Sequence, residues 1–492
     1  MATENSPKKI DRKLGLIIGS FILMIAIMLL PTPAGLSVAG HRILAILLFA
    51  VIMWMTEAMP YGESAVALIV FMLLALGFSP EKGAAGAILG TNRAIPLAMS
   101  GFVNSGWVFV AAGIFLAAAI ATTGLETRVA YLIIRAAGVS TYNIVAGLII
   151  TGFVLTFLIP SVIARAATMV PIVVGLTKAF NLPINSNVGK VLLMTAGILP
   201  SLTGVGVLSG SAPNPVVANY IANAGLPRIM WMDWFAYNFP FSVVMGVILY
   251  FIMTRMHKFE YDELPGGREY LNKCIADLGR MSPEEKRAAV IMCATIAMWA
   301  TDKLHGIDPT VVSMMSVLVM IFPYVGVTKL KTLFGKVDWT AILMFGAGIS
   351  LGVVLMRTEA VQWLSKVSLI AIGVDKLPLV PMAFTVFAVS FIIRLAFTSI
   401  TSCITALVPA LIGFLTAMNN PSLPIIGILM GTCIMAHDIF LTPVNSANTM
   451  IAYGTEAFKP GDMFRIGVPF TIILFVLVLV WMLIYWPIVG LS

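Results

Sequence analysis

Long apolar runs separated by short polar interruptions set the rhythm of this chain. Leu14–Leu30, Ile43–Met55, Phe239–Met253 and Ile466–Val489 are examples, each close to the roughly 20 residues that a helix needs to cross a bilayer. The pattern predicts six crossings before a long polar segment, at about 14–31, 41–58, 61–79, 106–124, 189–222 and 237–254. Five more follow, at about 289–303, 309–325, 338–356, 423–454 and 463–488. Two further apolar stretches, 140–180 and 378–418, each fold back around a serine. They read as re-entrant hairpins, because non-helical backbone at membrane depth survives only where protein or a water-filled cavity covers it. The expected fold is an all-α polytopic membrane protein of about 11 spans plus two re-entrant helical hairpins.

The same pattern occurs twice. Residues 159–171 read IPSVIARAATMVP and residues 397–409 read FTSITSCITALVP, each with a serine ten residues before a proline. A second break follows each, GSAPN at 210–214 and VNSAN at 444–448. The offsets nearly agree, 399 − 161 = 238 and 448 − 214 = 234. Two copies of a break-then-break unit in so apolar a chain suggest a transporter built from inverted-topology repeats.

Charge refines the division. Only 11% of the 492 residues are charged, against about 25% in soluble domains. Within a net charge of +8, the basic residues gather at Lys8, Lys9, Arg12 and Lys13, in the 255–287 segment, and at Lys329, Lys331 and Lys336. That is a positive-inside distribution and no nucleic-acid stripe. It places residues 1–13 as a cytoplasmic tail ahead of an uncleaved first span. Residues 14–254 form the first repeat, with its hairpin at 140–180 and broken span at 189–222. Residues 255–287, with seven basic and seven acidic side chains including Glu263, form a polar cytoplasmic connector. Residues 288–492 form the second repeat, with its hairpin at 378–418, broken span at 423–454 and last span at 463–488. Arg357, Lys366 and Lys376 would then lie outside, against the rule. Cys274, Cys293, Cys403 and Cys433 show no metal spacing and read as small buried hydrophobes.

The breaks carry the chemistry. Pro213 and Pro215 remove backbone donors, and Gly204, Gly206 and Gly210 make the same stretch permissive. Hairpin tips at Ser161 and Ser399 add helix N-termini whose free N–H groups favour an anion. Ser161, Ser211, Asn214, Ser399, Thr401, Asn445, Ser446 and Asn448 can hydrogen-bond it, although such residues also bond to neighbouring helices. Arg165 stands in apolar helix beyond the first tip, and Arg394 lies five residues before the second. His437 and Asp438, beside the second break, read as a local pair or a proton-sensitive element. No HExxH or GxxxxGK[ST] occurs, and the GxSxG at 348–352 lies inside an apolar run where no strand-to-helix turn exposes its serine, which speaks against an enzyme or an ATP-driven pump.

These motifs resemble the divalent anion/sodium symporter superfamily. The stretch Thr56-Glu57-Ala58-Met59-Pro60 is similar to its early TEAIP element. Its Ser-Asn-Thr tips fall on Ser161-Val162-Ile163 and on Ser399-Ile400-Thr401. Its Thr-Pro-Pro-Asn breaks fall on Ser211-Ala212-Pro213-Asn214 and Asn445-Ser446-Ala447-Asn448. In the family the tip asparagines help to bind sodium and carboxylate. Here Val162 and Ile400 lack an oxygen for a hard cation. An arginine after the first tip, as in Ala164-Arg165-Ala166, is similar to the sodium-independent di-/tricarboxylate exchanger branch.

The resemblance implies a homodimeric, elevator-type secondary transporter of small divalent carboxylates in a bacterial inner membrane. It implies no cofactor and no nucleic-acid partner, only substrate, a counter-anion or sodium, and lipid. A sodium-coupled symporter, a sulfate or sulfonate transporter, and an anion channel are the alternatives.

Overall fold

A computed structural model describes residues 7–81, 87–180, 182–262, 267–418, 420 and 422–491. The first six residues of the expected tail and Glu263 of the connector lie outside the described residues. Regular structure among the described residues is helical, apart from one isolated bridge between Pro80 and Ile88. Nine described helices are long and apolar enough to cross a membrane, or ten if one bent pair counts as a span. Shorter apolar helices at Tyr61–Gly77, Pro309–Ile321, Leu379–Leu395 and Ile425–His437 fall where the hydropathy pattern also placed membrane segments. The first helix starts at Pro7, inside the expected tail. It is scarcely buried, with Leu14, Ile18, Phe21 and Ile22 exposed, as suits a helix whose solvent is lipid.

The bent pair was not anticipated. Helix Ser105–Ala121 turns by 72° into Leu125–Ala137, and Gly124 between them adopts φ 77°, a left-handed conformation that glycine enters without steric penalty. The second helix is amphipathic, so its polar face hid it from a search for greasy runs. Arg128 on that helix reaches the connector. It pairs with Glu285 (Nε to Oε1 2.8 Å) and donates to the carbonyls of Leu278 and Gly279. Ser282 caps the following helix, with Pro283 at its first position and Glu285 closing a reciprocal capping pair.

The chain divides into two compact units, each drawn from separate stretches of sequence. One comprises residues 1–108, 216–227 and 338–429; the other comprises 109–215, 228–337 and 430–492. In the first, helix Trp339–Arg357 packs on Tyr61–Gly77, and small residues let backbones approach. The backbone N–H of Gly101 donates to the Ser350 hydroxyl at 2.9 Å, and the Tyr220 hydroxyl donates to the Gly348 carbonyl at 3.0 Å. In the second, helix Asn187–Val205 is buried almost all round. Thr141–Leu158, Val162–Ala179, Trp231–Met256 and Ala447–Tyr453 surround it. Of the cysteines, Cys403 and Cys433 are buried as expected, whereas Cys293 is exposed.

Candidate functional site

The first tip is built from its cap upward. The chain leaves helix Thr141–Leu158 through Ile159 and Pro160, and Ser161 opens helix Val162–Ala179. Its hydroxyl oxygen accepts the N–H of Ala164 at 3.3 Å. Val162 is half-buried and Ile163 is 47% exposed, so the tip presents apolar surface where an amide had been the family pattern. Arg165, one turn on, has no solvent exposure. Its guanidinium donates to the Pro200 carbonyl at 2.6 Å and to the Ile159 carbonyl at 3.4 Å, while Nε has no acceptor among the described residues. Arg165 therefore ties the turn before the tip to helix Asn187–Val205. The close approach requires Gly204, where a Cβ would lie 2.8 Å from Nη2 of Arg165.

The two breaks lie in the same unit as this tip. The first falls at 206–212, upstream of the prolines expected to cause it. Pro213 and Pro215 instead sit in the first turn of helix Pro213–Asn223, where a missing N–H leaves no bond unmade. Asn214 is fully buried and donates to the carbonyls of Gly204 and Val207, each at 2.8 Å. These carbonyls belong to a helix end and its following turn, which lack the partners of a continuing helix. Asn448 is equally buried. It donates to the Gly197 carbonyl at 2.6 Å and accepts from the hydroxyls of Ser201, at 3.2 Å, and Ser446. Asn445 accepts the N–H and hydroxyl of Thr442 at 2.8 and 2.9 Å. Both repeat-related asparagines thus hold the breaks in shape by bonding to backbone.

Ser211 meets the second half-helix. Its hydroxyl lies 3.0 Å from Nε2 of His437, whose Nδ1 is 2.8 Å from the Cys433 carbonyl. A carbonyl can only accept, so Nδ1 carries the proton and Nε2 accepts from Ser211. The expected local pairing of His437 with Asp438 is not found. The imidazole is held by Ser211 and Cys433, and neither carboxylate oxygen of Asp438 has a hydrogen-bond partner among the described residues.

The second tip belongs to the other unit. Ser399 opens helix Ile400–Ala417, its hydroxyl oxygen accepting the N–H of Ser402 at 3.3 Å. Ile400 is buried and Thr401 half-buried. Arg394 is fully buried and donates to the Phe397 carbonyl, the counterpart of what Arg165 does at Ile159. Sequence reasoning missed Ser201, Gly197 and Cys433, which partner the two asparagines. Their only signal was a polar or small residue within an apolar run, which many helices share.

Comparison with known proteins adds kinship to this geometry. Residues 11–492 match the family profile described as the sodium:sulfate symporter transmembrane region. A membrane protein of Cupriavidus necator is 33% identical over 468 residues, 95% of this chain and 91% of its own. The sodium-dependent dicarboxylate transporter SdcS of Staphylococcus saprophyticus is 27% identical over 518 residues, 99% of this chain and 94% of its own. The L-tartrate/succinate antiporter of Escherichia coli is 25% identical over 477 residues, 94% and 96% of the two chains. Among solved structures, the YdaH transporter of Alcanivorax borkumensis matches with a TM-score of 0.58 at 11% identity, over 87% of this chain and 98% of its own. MtrF of Neisseria gonorrhoeae matches at 0.54 and 11%, over 88% and 96%. At such identity the structural likeness speaks for fold alone.

Proposed function

The chain belongs to the sodium:sulfate symporter transmembrane family, a multi-pass membrane transporter and no enzyme, and on that premise we propose that it exchanges small divalent carboxylates without sodium. The observation that carries this reading is the chemistry of the two tips. Each serine oxygen already caps its helix, and the next residue is Val162 or Ile400. Neither offers a side-chain oxygen to a hard cation, which wants several.

Arg165 supplies what sodium would otherwise provide. A divalent anion moving through low dielectric needs its charge compensated, and a guanidinium stays protonated at physiological pH. A fixed charge also remains when the site is empty. Return without an anion is then unfavourable, which biases the protein toward obligatory exchange. Similarity to a tartrate/succinate antiporter supports the same direction. Alternating access would follow an elevator path, one unit carrying substrate and the other anchoring a homodimer in a bacterial inner membrane. Substrate would meet Ser161, Ser211, Asn445 and Ser446 on the tip and breaks of the second unit.

Counterflow in proteoliposomes tests this. Vesicles preloaded with unlabelled succinate, malate, citrate, tartrate, 2-oxoglutarate or sulfate are offered labelled succinate with and without sodium. Preloading with a dicarboxylate should accelerate uptake, and sodium should leave it unchanged. Robust sodium-driven uptake into vesicles with no internal anion would sink the exchange reading and leave family membership standing.

A further inference from the structure

Asp438 immediately follows helix Ile425–His437, at the point where the second broken span leaves helical geometry. It has no solvent exposure, and both carboxylate oxygens lack a hydrogen-bond partner among the described residues. The neighbouring polar groups are otherwise engaged. His437 faces Ser211 and the Cys433 carbonyl, and the Cys433 thiol lies 3.8 Å from Oδ1 of Asn214. The chain just beyond is apolar, with Phe440 lying among Ile198, Leu249, Ile252, Ile466 and Phe470.

Among the described residues no hydrogen-bond donor meets this carboxylate, and the buried Arg165 guanidinium of the same unit is turned to the Ile159 and Pro200 carbonyls. The helices around that apolar cluster carry Lys190, Asp233, Arg255, Asp462 and Arg465. Lys190 pairs with Asp462 at 3.2 Å, and Asp233 pairs with Lys303. The ionisable side chains close to it are the Cys433 thiol and the imidazole of His437.

An ionised carboxylate stripped of water and donors costs several kcal/mol even after local relaxation. A cation, a donor or a proton has to offset it. Sodium would need several free oxygens, whereas the Ser211 hydroxyl, the Cys433 carbonyl and Oδ1 of Asn214 already bond to His437 and the Cys433 thiol. A proton needs none. We infer that Asp438 is a proton-binding site of the transport cycle, neutral in the arrangement seen here, and that exchange runs only while it holds that proton. Ionisation would draw water or a donor into the turn after His437. That would open the break which the Ser211–His437 bond closes. The inference rests on reading the chain as an anion exchanger, and the two can fail separately.

The test is the pH dependence of succinate/succinate exchange in proteoliposomes at symmetric pH. Wild-type exchange should fall on the alkaline side, about tenfold per pH unit beyond the midpoint, as for one titrating group. Asp438→Asn cannot ionise, so its profile should lose that fall at whatever rate it runs. An alkaline fall of the same midpoint in Asp438→Asn overturns the proposal. Infrared difference spectroscopy of the purified wild type keeps the test open if that variant does not fold. A deuterium-sensitive carbonyl band of a protonated carboxylic acid should persist at neutral pH and vanish as the exchange rate falls. Absence of such a band at neutral pH also overturns it. If succinate is not exchanged at any pH while the band is present, the carrier reading fails and the protonated Asp438 stands.

Discussion

Arg165 bonds two backbone carbonyls while carrying the charge that the exchange reading requires, so its substitutions separate these roles. Glutamine can satisfy one carbonyl and has no charge; lysine keeps the charge and reaches at most one carbonyl well. A hydrogen bond from a charged group contributes about 1.5–3 kcal/mol, so Arg165→Gln should slow exchange by roughly ten- to a hundredfold, with Arg165→Lys between it and wild type. Equal rates in all three, measured by labelled succinate exchange at matched protein density, would remove the fixed charge from the mechanism. The buried asparagines make a different prediction. Removing the Asn214 amide takes a donor from two carbonyls that keep one backbone turn bond each, and removing that of Asn448 takes a donor from the Gly197 carbonyl and strands two hydroxyls. Each stranded buried group costs about 1–3 kcal/mol. Asn214→Ala and Asn448→Ala should therefore lower thermal stability in detergent together with transport. Lost transport at wild-type melting temperature would point instead to direct substrate contact.

Elements depend on how closely their backbones approach. At Gly204 an added methyl would meet Nη2 of Arg165 at 2.8 Å and both the Gly210 carbonyl and Val162 at 3.2 Å. Overpacking of this kind costs about 1–3 kcal/mol. Gly204→Ala should thus reproduce the exchange defect of Arg165→Gln, while Gly461→Ala, which meets nothing, should be silent. The helix Leu125–Ala137 is held to the connector by Arg128, whose guanidinium keeps the Glu285 carboxyl below its usual value of 4.5. The stabilisation is therefore fully present above about pH 4.5 and is lost as pH falls through the lowered value. Acid titration of the melting temperature should show that loss in wild type and a shallower one in Glu285→Gln; identical slopes would deny the pair a stabilising role. The helix starts at Ser161 and Ser399 were legible in the sequence because caps act locally. The Arg128–Glu285 pair, the Ser201–Asn448 bond and the turning of His437 away from Asp438 were not. They depend on which distant helix arrives alongside, and local spacing carries no record of that.

For the whole molecule, a charge that stays with the protein has an electrical signature. If Arg165 crosses with a divalent anion on one stroke and with another on the return, the two strokes cancel. Divalent-for-divalent exchange should then be indifferent to a potassium diffusion potential, whereas symport of one divalent anion with three sodium ions, which moves one net positive charge per cycle, would not. A rate that rises or falls with imposed voltage would overturn the compensated-exchange scheme. The way each compact unit is assembled from separated stretches of chain has a further consequence, for biosynthesis. The Ser201 hydroxyl and the Gly197 carbonyl both bond to Asn448, 247 and 251 residues further along. At translation rates of about 5–20 residues per second, the first broken span waits roughly 10–50 seconds for the side chain that completes it. During that interval it resides in the bilayer with unmatched polar groups, a natural client for insertion chaperones. A transcript truncated before codon 448 would leave a chain that inserts yet never matures, and membrane proteases should clear it while sparing the full-length product.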